Sequence, residues 1–167
     1  WEGDGLGHVW VKTRLDTDDD TVPEAMLDGR ITTTSPLGDG DNITEVGGVP
    51  GPWQLRLPHF RLDAQPSFGE EIQTEYFVSR SRAAEALEAL RALGSRIRPH
   101  LIVTELRTAA ADDLWLSGAY GQDVVIIHFT WHDHPAEVRA LLPAIEGALA
   151  PYGARPHWGK LHLFDAD

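Results

Sequence analysis

From Ile72 onward the apolar residues recur with two periods in turn, first of two residues and then of about three and a half. This alternation restricts the fold more than any other feature of the chain. Ile72 to Val78 reads as a strand. Ser81 then offers an N-cap to a helix in which Ala83, Ala86, Leu87, Leu90, Leu93 and Ile97 fall at helical spacing, ended by Arg98-Pro99. His100 to Arg107 reads as the next strand, followed by an acidic turn with Asp112, Asp113 and Trp115. Val124 to Trp131 is the clearest strand, with Val125, Ile127, Phe129 and Trp131 on a core face and Val124, Ile126, His128 and Thr130 on the other. Pro135 suits the start of a second helix carrying Val138, Leu141, Leu142, Ile145 and Leu149, and Pro143 predicts a kink or two short helices there. Arg155 to Leu163 is the last recognisable segment. Strand, helix, strand, then strand, helix, strand predicts an α+β fold: an antiparallel-containing sheet with helices on one face.

The preceding part of the chain lacks this order. His8 to Arg14 interleaves Val9, Trp10 and Val11 with polar residues and reads as a strand. From Asp16 to about Phe68 the sequence is crowded with Gly, Pro, Asp and Thr and holds no sustained period, as expected of a functional loop or of a surface that packs on a neighbour. A chain of 167 residues suffices for one domain. It begins with Trp1 rather than Met, which suggests an opening inside a longer polypeptide.

Charge and composition narrow the partners. Fourteen basic against 26 acidic residues give a net charge of −12, which repels nucleic acid and an anionic membrane surface alike. No stretch approaches the roughly 18 apolar residues of a membrane span, and the N-terminal residues lack the pattern of a signal peptide. With no cysteine there is no thiolate chemistry and no disulfide, and a reducing, cytoplasmic setting is the default expectation.

Glu105 and Arg107 lie two apart on a strand and leave the same face, offering an acceptor for hydroxyl groups beside a rigid fork of donors. A surface ion pair would have the same spacing. His128 and Thr130 repeat the pattern on the next strand, and if the two strands pair, four hydrogen-bonding side chains converge as a polyhydroxylated ligand requires. His128, His132, Asp133 and His134 do not make a metal site on this pattern, because histidines at i and i+4 need a helix to reach one ion; Asp133 and His134 read as a helix cap. Of the six tryptophans, Trp10 and Trp131 fall in strand patterns that suit a core, which leaves Trp53 and Trp158 open as stacking platforms.

In His157-Trp158-Gly159-Lys160 the glycine lets backbone pass close to a ligand, and a lysine held there can have its charge state tuned for proton transfer. Composition alone favours a surface lysine behind a core tryptophan.

Several segments in order resemble those of alditol oxidases, also described as xylitol or sorbitol oxidases. They are Val49-Pro50-Gly51-Pro52-Trp53, Leu57-Pro58-His59-Phe60, Glu105-Leu106-Arg107-Thr108 with Ala111-Asp112-Asp113-Leu114-Trp115-Leu116-Ser117, His128-Phe129-Thr130-Trp131, and Arg155-Pro156-His157-Trp158-Gly159-Lys160. The Glu-x-Arg and His-Trp-Gly-Lys elements are similar to those of sugar-lactone oxidases as well.

The resemblance implies a two-domain enzyme of the vanillyl-alcohol oxidase type, with an N-terminal FAD domain and a C-terminal substrate (cap) domain over the flavin. On that reading residues 1–167 are the substrate-binding domain alone, with FAD held by a domain this chain does not contain. Glu105, Arg107, His128, Thr130 and Lys160 would line the active site. Arg107 and Lys160 would lie toward the cofactor, with Arg107 stabilising the reduced flavin. Lys160 and His128 would act on the reacting hydroxyl, and Glu105 and Thr130 would hold the other hydroxyls of a small polyol. The implied reaction oxidises a terminal alcohol with oxygen, giving an aldose and hydrogen peroxide, and the fragment alone is expected to be inactive. The competing expectation is a stand-alone polyol-binding or interaction module that kept the sheet and lost the chemistry.

Overall fold

The computed structural model describes residues 7–17, 20–21, 25–35, 38, 43–56, 61–63 and 69–165. The Leu57-Pro58-His59-Phe60 motif lies outside them. The chain divides into two compact units, one comprising Gly3–Phe68 and the other holding Gly69–Asp167.

In the first unit, strands β1 (Ala25–Met26) and β2 (Gly29–Arg30) form a small antiparallel hairpin. Its two-residue turn, Leu27 and Asp28, has positive φ at both positions, as the right-handed twist of a tight hairpin demands. A single helical turn, α1 (Trp53–Arg56), follows, and Arg56 ties it down by donating to Glu45 Oε2 at 2.6 Å and to the Pro50 carbonyl at 3.1 Å. The strand predicted over His8 to Arg14 is not formed. Those residues pair with no strand among the described residues, and Val9, Trp10 and Val11 are exposed, so Trp10 is not a core residue. An alternating pattern makes a strand only where a neighbouring edge supplies the ladder.

The second unit is ordered β3 (Glu71–Ser79), α2 (Ala83–Arg91), α3 (Gly94–Ile97), β4 (Leu101–Ala109), β5 (Val124–His132), α4 (Pro135–Leu149) and β6 (Arg155–Pro156). Its sheet runs β4-β5-β3-β6 with every neighbour antiparallel, the split β-α-β arrangement of ferredoxin-like folds. The core lies on one face. There Tyr76, Val78, Ile127, Phe129 and Trp131 meet Ala86 and Leu90 of α2, Ile97 of α3 and the apolar stripe of α4. Thr74, the one polar residue of β3 on this face that is fully buried, accepts from the Trp131 indole at 3.1 Å.

Three local expectations are corrected. Ser81 does not cap the first helix: it lies in a 3-10 turn over Arg80–Arg82, its hydroxyl meets that of Ser79 at 3.1 Å, and α2 starts at Ala83. That helix is also not continuous to Ile97. The amide of Leu93 bonds the Leu90 carbonyl, a tightened last turn, and Gly94 begins a separate short helix. Conversely α4 runs through Pro143 as one helix. Proline there costs about 3 kcal/mol, whereas Val138, Leu141, Leu142, Ile145 and Leu149 are each buried on the sheet and contribute about 1.5–3 kcal/mol apiece, so packing wins. His134 occupies the N-cap position of α4 without a side-chain cap bond, and Asp133 precedes it.

Candidate active site

The face of the sheet turned away from the helices is polar because β3, β4 and β5 each place polar residues there at a spacing of two. Glu75 faces His128, which faces Glu105, in one row across three strands. The adjoining rows hold Gln73 opposite Thr130 and Phe77 opposite Ile126, with Arg107 beyond Ile126. Glu105, Arg107, His128 and Thr130 therefore share one face, as strand pairing of β4 with β5 requires.

Lys160 reaches this face by a departure from regular pairing. The His157 amide bonds the Glu75 carbonyl at 2.8 Å and the Leu161 amide bonds the Gln73 carbonyl at 3.1 Å, so the chain runs along β3 but buckles outward in between. A turn closed by the Lys160 amide on the His157 carbonyl at 2.9 Å aims the lysine back over the sheet. Gly159 fits here because a Cβ would lie 3.2 Å from the His157 ring. Lys160 Nζ donates to Gln73 Oε1 at 2.6 Å and lies 3.4 Å from His128 Nδ1 and 3.8 Å from Glu75 Oε2. The surface lysine behind a core tryptophan is thus reversed: Lys160 is partly buried, and Trp158 is exposed.

Glu75 is the hub of the cluster. Its carboxylate accepts from His128 Nδ1 at 2.7 Å and from Arg107 Nη1 at 3.1 Å. The second nitrogen of the Arg107 fork donates to Glu105, so one guanidinium bridges both carboxylates. On the far side of the imidazole, His128 Nε2 meets the Thr130 hydroxyl at 3.1 Å. Burial disfavours the ionised form of Glu75, but the His128 hydrogen bond and the charges of Lys160 and Arg107 outweigh it and hold the carboxyl below its ordinary 4.5. Lys160 moves the other way. Burial is the main cause, Arg107 adds to it, and the attraction of Glu75, Glu105 and Glu71 only partly offsets them, so its pKa falls below 10.5.

The β4–β5 connection borders the site. Arg155 donates to the Tyr120 carbonyl at 2.8 Å, and the Trp158 indole donates to the Leu116 carbonyl at 3.2 Å. Phe77 stacks on His157 with ring centroids 6.0 Å apart, and Gly118 lies against the same phenyl ring. Trp53, the other open tryptophan, is exposed on α1 of the first unit.

Glu75 and Gln73 were not singled out by the sequence reading, although the signal was present. In Ile72 to Val78 the residues Thr74, Tyr76 and Val78 take one face, which leaves Gln73, Glu75 and Phe77 on the other. The same two-apart argument that picked out Glu105 and Arg107 finds them.

Chemically, two carboxylates, a guanidinium, an ammonium, an imidazole and a hydroxyl on one face give donors and acceptors of both signs, suited to a ligand with several hydroxyl groups. The D-arabinono-1,4-lactone oxidase family matches residues 61–167. An alditol oxidase from Streptomyces sp. (strain IKD472 / FERM P-14339) is 38% identical over 99% of this chain, which spans 40% of that protein's length. The L-gulono-1,4-lactone dehydrogenase of Mycobacterium tuberculosis (strain ATCC 25618 / H37Rv) is 35% identical over 54% of the chain and 21% of its own length. Because the family match covers the whole sheet and every residue of the polar face, the chain belongs to the D-arabinono-1,4-lactone oxidase family.

Proposed function

We propose that this chain is the substrate-binding part of an FAD-dependent oxidase that converts a terminal alcohol of a small polyol to an aldose, with oxygen consumed and hydrogen peroxide formed. The observation that carries the reading is the convergence of Glu75, Glu105, Arg107, His128, Thr130 and Lys160 on one sheet face. A polyol rather than a lactone is favoured because the similarity to the alditol oxidase runs over 99% of the chain, against 54% for the lactone dehydrogenase. We assign FAD binding to a separate domain, in keeping with a chain that spans 40% of the alditol oxidase.

The residues present fit the ring end of a flavin. Arg107 keeps about half of its side chain exposed while anchored to two carboxylates, and Lys160, with 20% of its side chain exposed, lies 3.8 Å from one of them, so two cations share the face on which an electron-rich ring would need them. A bound flavin supplies the hydride acceptor that no side chain of this chain can provide. The chain's own residues do the rest. Glu105 accepts from ligand hydroxyls and Thr130 exchanges hydrogen bonds with them, which fixes the polyol against rotation. Lys160, whose pKa is lowered by burial, serves the reacting hydroxyl together with His128. Arg107 holds positive charge where negative charge develops.

The test is peroxide and sugar formation from xylitol and sorbitol by the full-length protein, with this chain alone as the control. The reading expects polyol-dependent peroxide from the full-length protein and a colourless, inactive chain. Flavin-loaded full-length protein that no polyol reduces would overturn it.

A further inference from the structure

The polar face sets two cations, Arg107 and Lys160, against two carboxylates, Glu75 and Glu105, and the carboxylates differ in exposure. Glu105 keeps 39% of its side chain exposed and can meet a ligand, whereas Glu75 keeps 8%. Both cations converge on one oxygen of the buried group: Glu75 Oε2 accepts from Arg107 Nη1 at 3.1 Å and lies 3.8 Å from Lys160 Nζ. Among the described residues Glu75 is the one carboxylate in ion-pair contact with Lys160. Gln73 of β3 is uncharged, and Glu71 lies beyond it, accepting from its amide at 2.6 Å. Glu105 of β4 is engaged by Arg107, and His128 of β5 lies 3.4 Å from the ammonium. His157, in the lysine's own turn, is 4.0 Å from the other oxygen of Glu75. Burial is the main cause of the lowered Lys160 pKa, Glu75 is the strongest attraction opposing it, and repulsion from Arg107 adds to the fall. Two like charges drawn to one point stay there only while the counter-charge does.

We infer that Glu75 is a positioning residue, the shared counter-charge that keeps Arg107 and Lys160 together on the sheet face. Too buried to meet a ligand, it acts through the two cations. Without its charge, Arg107 keeps Glu105 and Lys160 keeps the uncharged Gln73, and no common partner opposes their separation. The guanidinium loses one of its two anchors. The ammonium, still partly buried, loses the attraction that most favours its charged form.

The effect on rate rests on the polyol-oxidase reading, whereas the charge coupling does not, and two measurements on the full-length protein separate them. Glu75→Gln keeps the size of the side chain and removes its charge. In carbon-13 spectra of labelled lysine, with the Lys160 signal assigned by its loss in Lys160→Met, Glu75→Gln is expected to make Lys160 titrate at lower pH. A Lys160 titration that stays in place or moves upward overturns the shared counter-charge. In anaerobic stopped-flow reduction by xylitol, Glu75→Gln is expected to lower the limiting rate about 10-fold or more on its own, but about threefold or less when Lys160 is already Met. Damage to the fold would cost the same factor in both backgrounds, so equal losses, or a Glu75→Gln limiting rate within about threefold of the original, overturn the positioning role. Glu75→Asp keeps the charge but draws it back by one carbon; it is expected to move both readouts the same way by less, and it carries the test if the glutamine variant does not fold. If no polyol reduces the full-length protein, the oxidase reading fails, and the lysine titration still decides the role of Glu75.

Discussion

Lys160 donates to the side chain of Gln73 at 2.6 Å, joining the turn after β6 to the first strand of the sheet across 87 residues. The bond orients the ammonium group without neutralising it, because an amide oxygen carries no charge. Lys160 thus lies over the sheet beside Glu75 and His128 while burial lowers its pKa. An ammonium neutralised by one carboxylate would instead hold its proton more tightly.

The wall of the site depends on a glycine. A Cβ at Gly118 would fall 2.4–2.5 Å from carbons of the Phe77 ring, which is itself stacked against His157. Gly118→Ala should destabilise the second unit by about 1–3 kcal/mol. Urea denaturation followed by tryptophan fluorescence measures it, and an unchanged midpoint would show that the β4–β5 connection does not pack on Phe77.

A buried carboxylate on the helix side ties three segments together. Glu146 of α4 accepts from the Tyr76 hydroxyl at 3.0 Å and from the Leu163 amide at 2.9 Å. Burial and the neighbouring Glu146 charge raise the Tyr76 pKa well above its usual value, so the phenol remains a donor throughout the accessible range. Tyr76→Phe should cost about 1–3 kcal/mol by leaving that oxygen short of a partner. A thermal midpoint matching the unmodified protein would contradict the assignment.

Acid should weaken the protein through Glu75. Its folded pKa lies below the 4.5 of the unfolded chain. The stabilisation is therefore fully present above about pH 4.5 and is lost as pH falls through the lower folded value. In Glu75→Gln, stability should fall less steeply below pH 4.5 than in the unmodified protein. Denaturant midpoints at pH 7, 4.5 and 3 measure this, and parallel losses in the two proteins would rule it out.

The sheet and its polar face were legible because alternation along Ile72 to Val78 and Val124 to Trp131 fixes which side chains share a side. What sequence could not supply was pairing. Glu75 becomes the hub only because β3 lies beside β5 in the sheet order, which places it opposite His128. The same limit explains His8 to Arg14, whose alternation found no ladder. Pro143 and the break before Gly94 were decided by packing and by a tightened turn, neither of which local propensity weighs.

The central claim is that this sheet face acts on the reacting hydroxyl, and Lys160→Met in the full-length protein tests it most directly. Anaerobic stopped-flow reduction by xylitol over a concentration series separates the limiting rate from apparent binding. The account predicts a limiting rate lowered about 100-fold or more, the scale of a positioned acid–base group. A limiting rate within about threefold of the unmodified protein, with only the half-saturating concentration raised, would contradict it and leave Lys160 as a binding group alone.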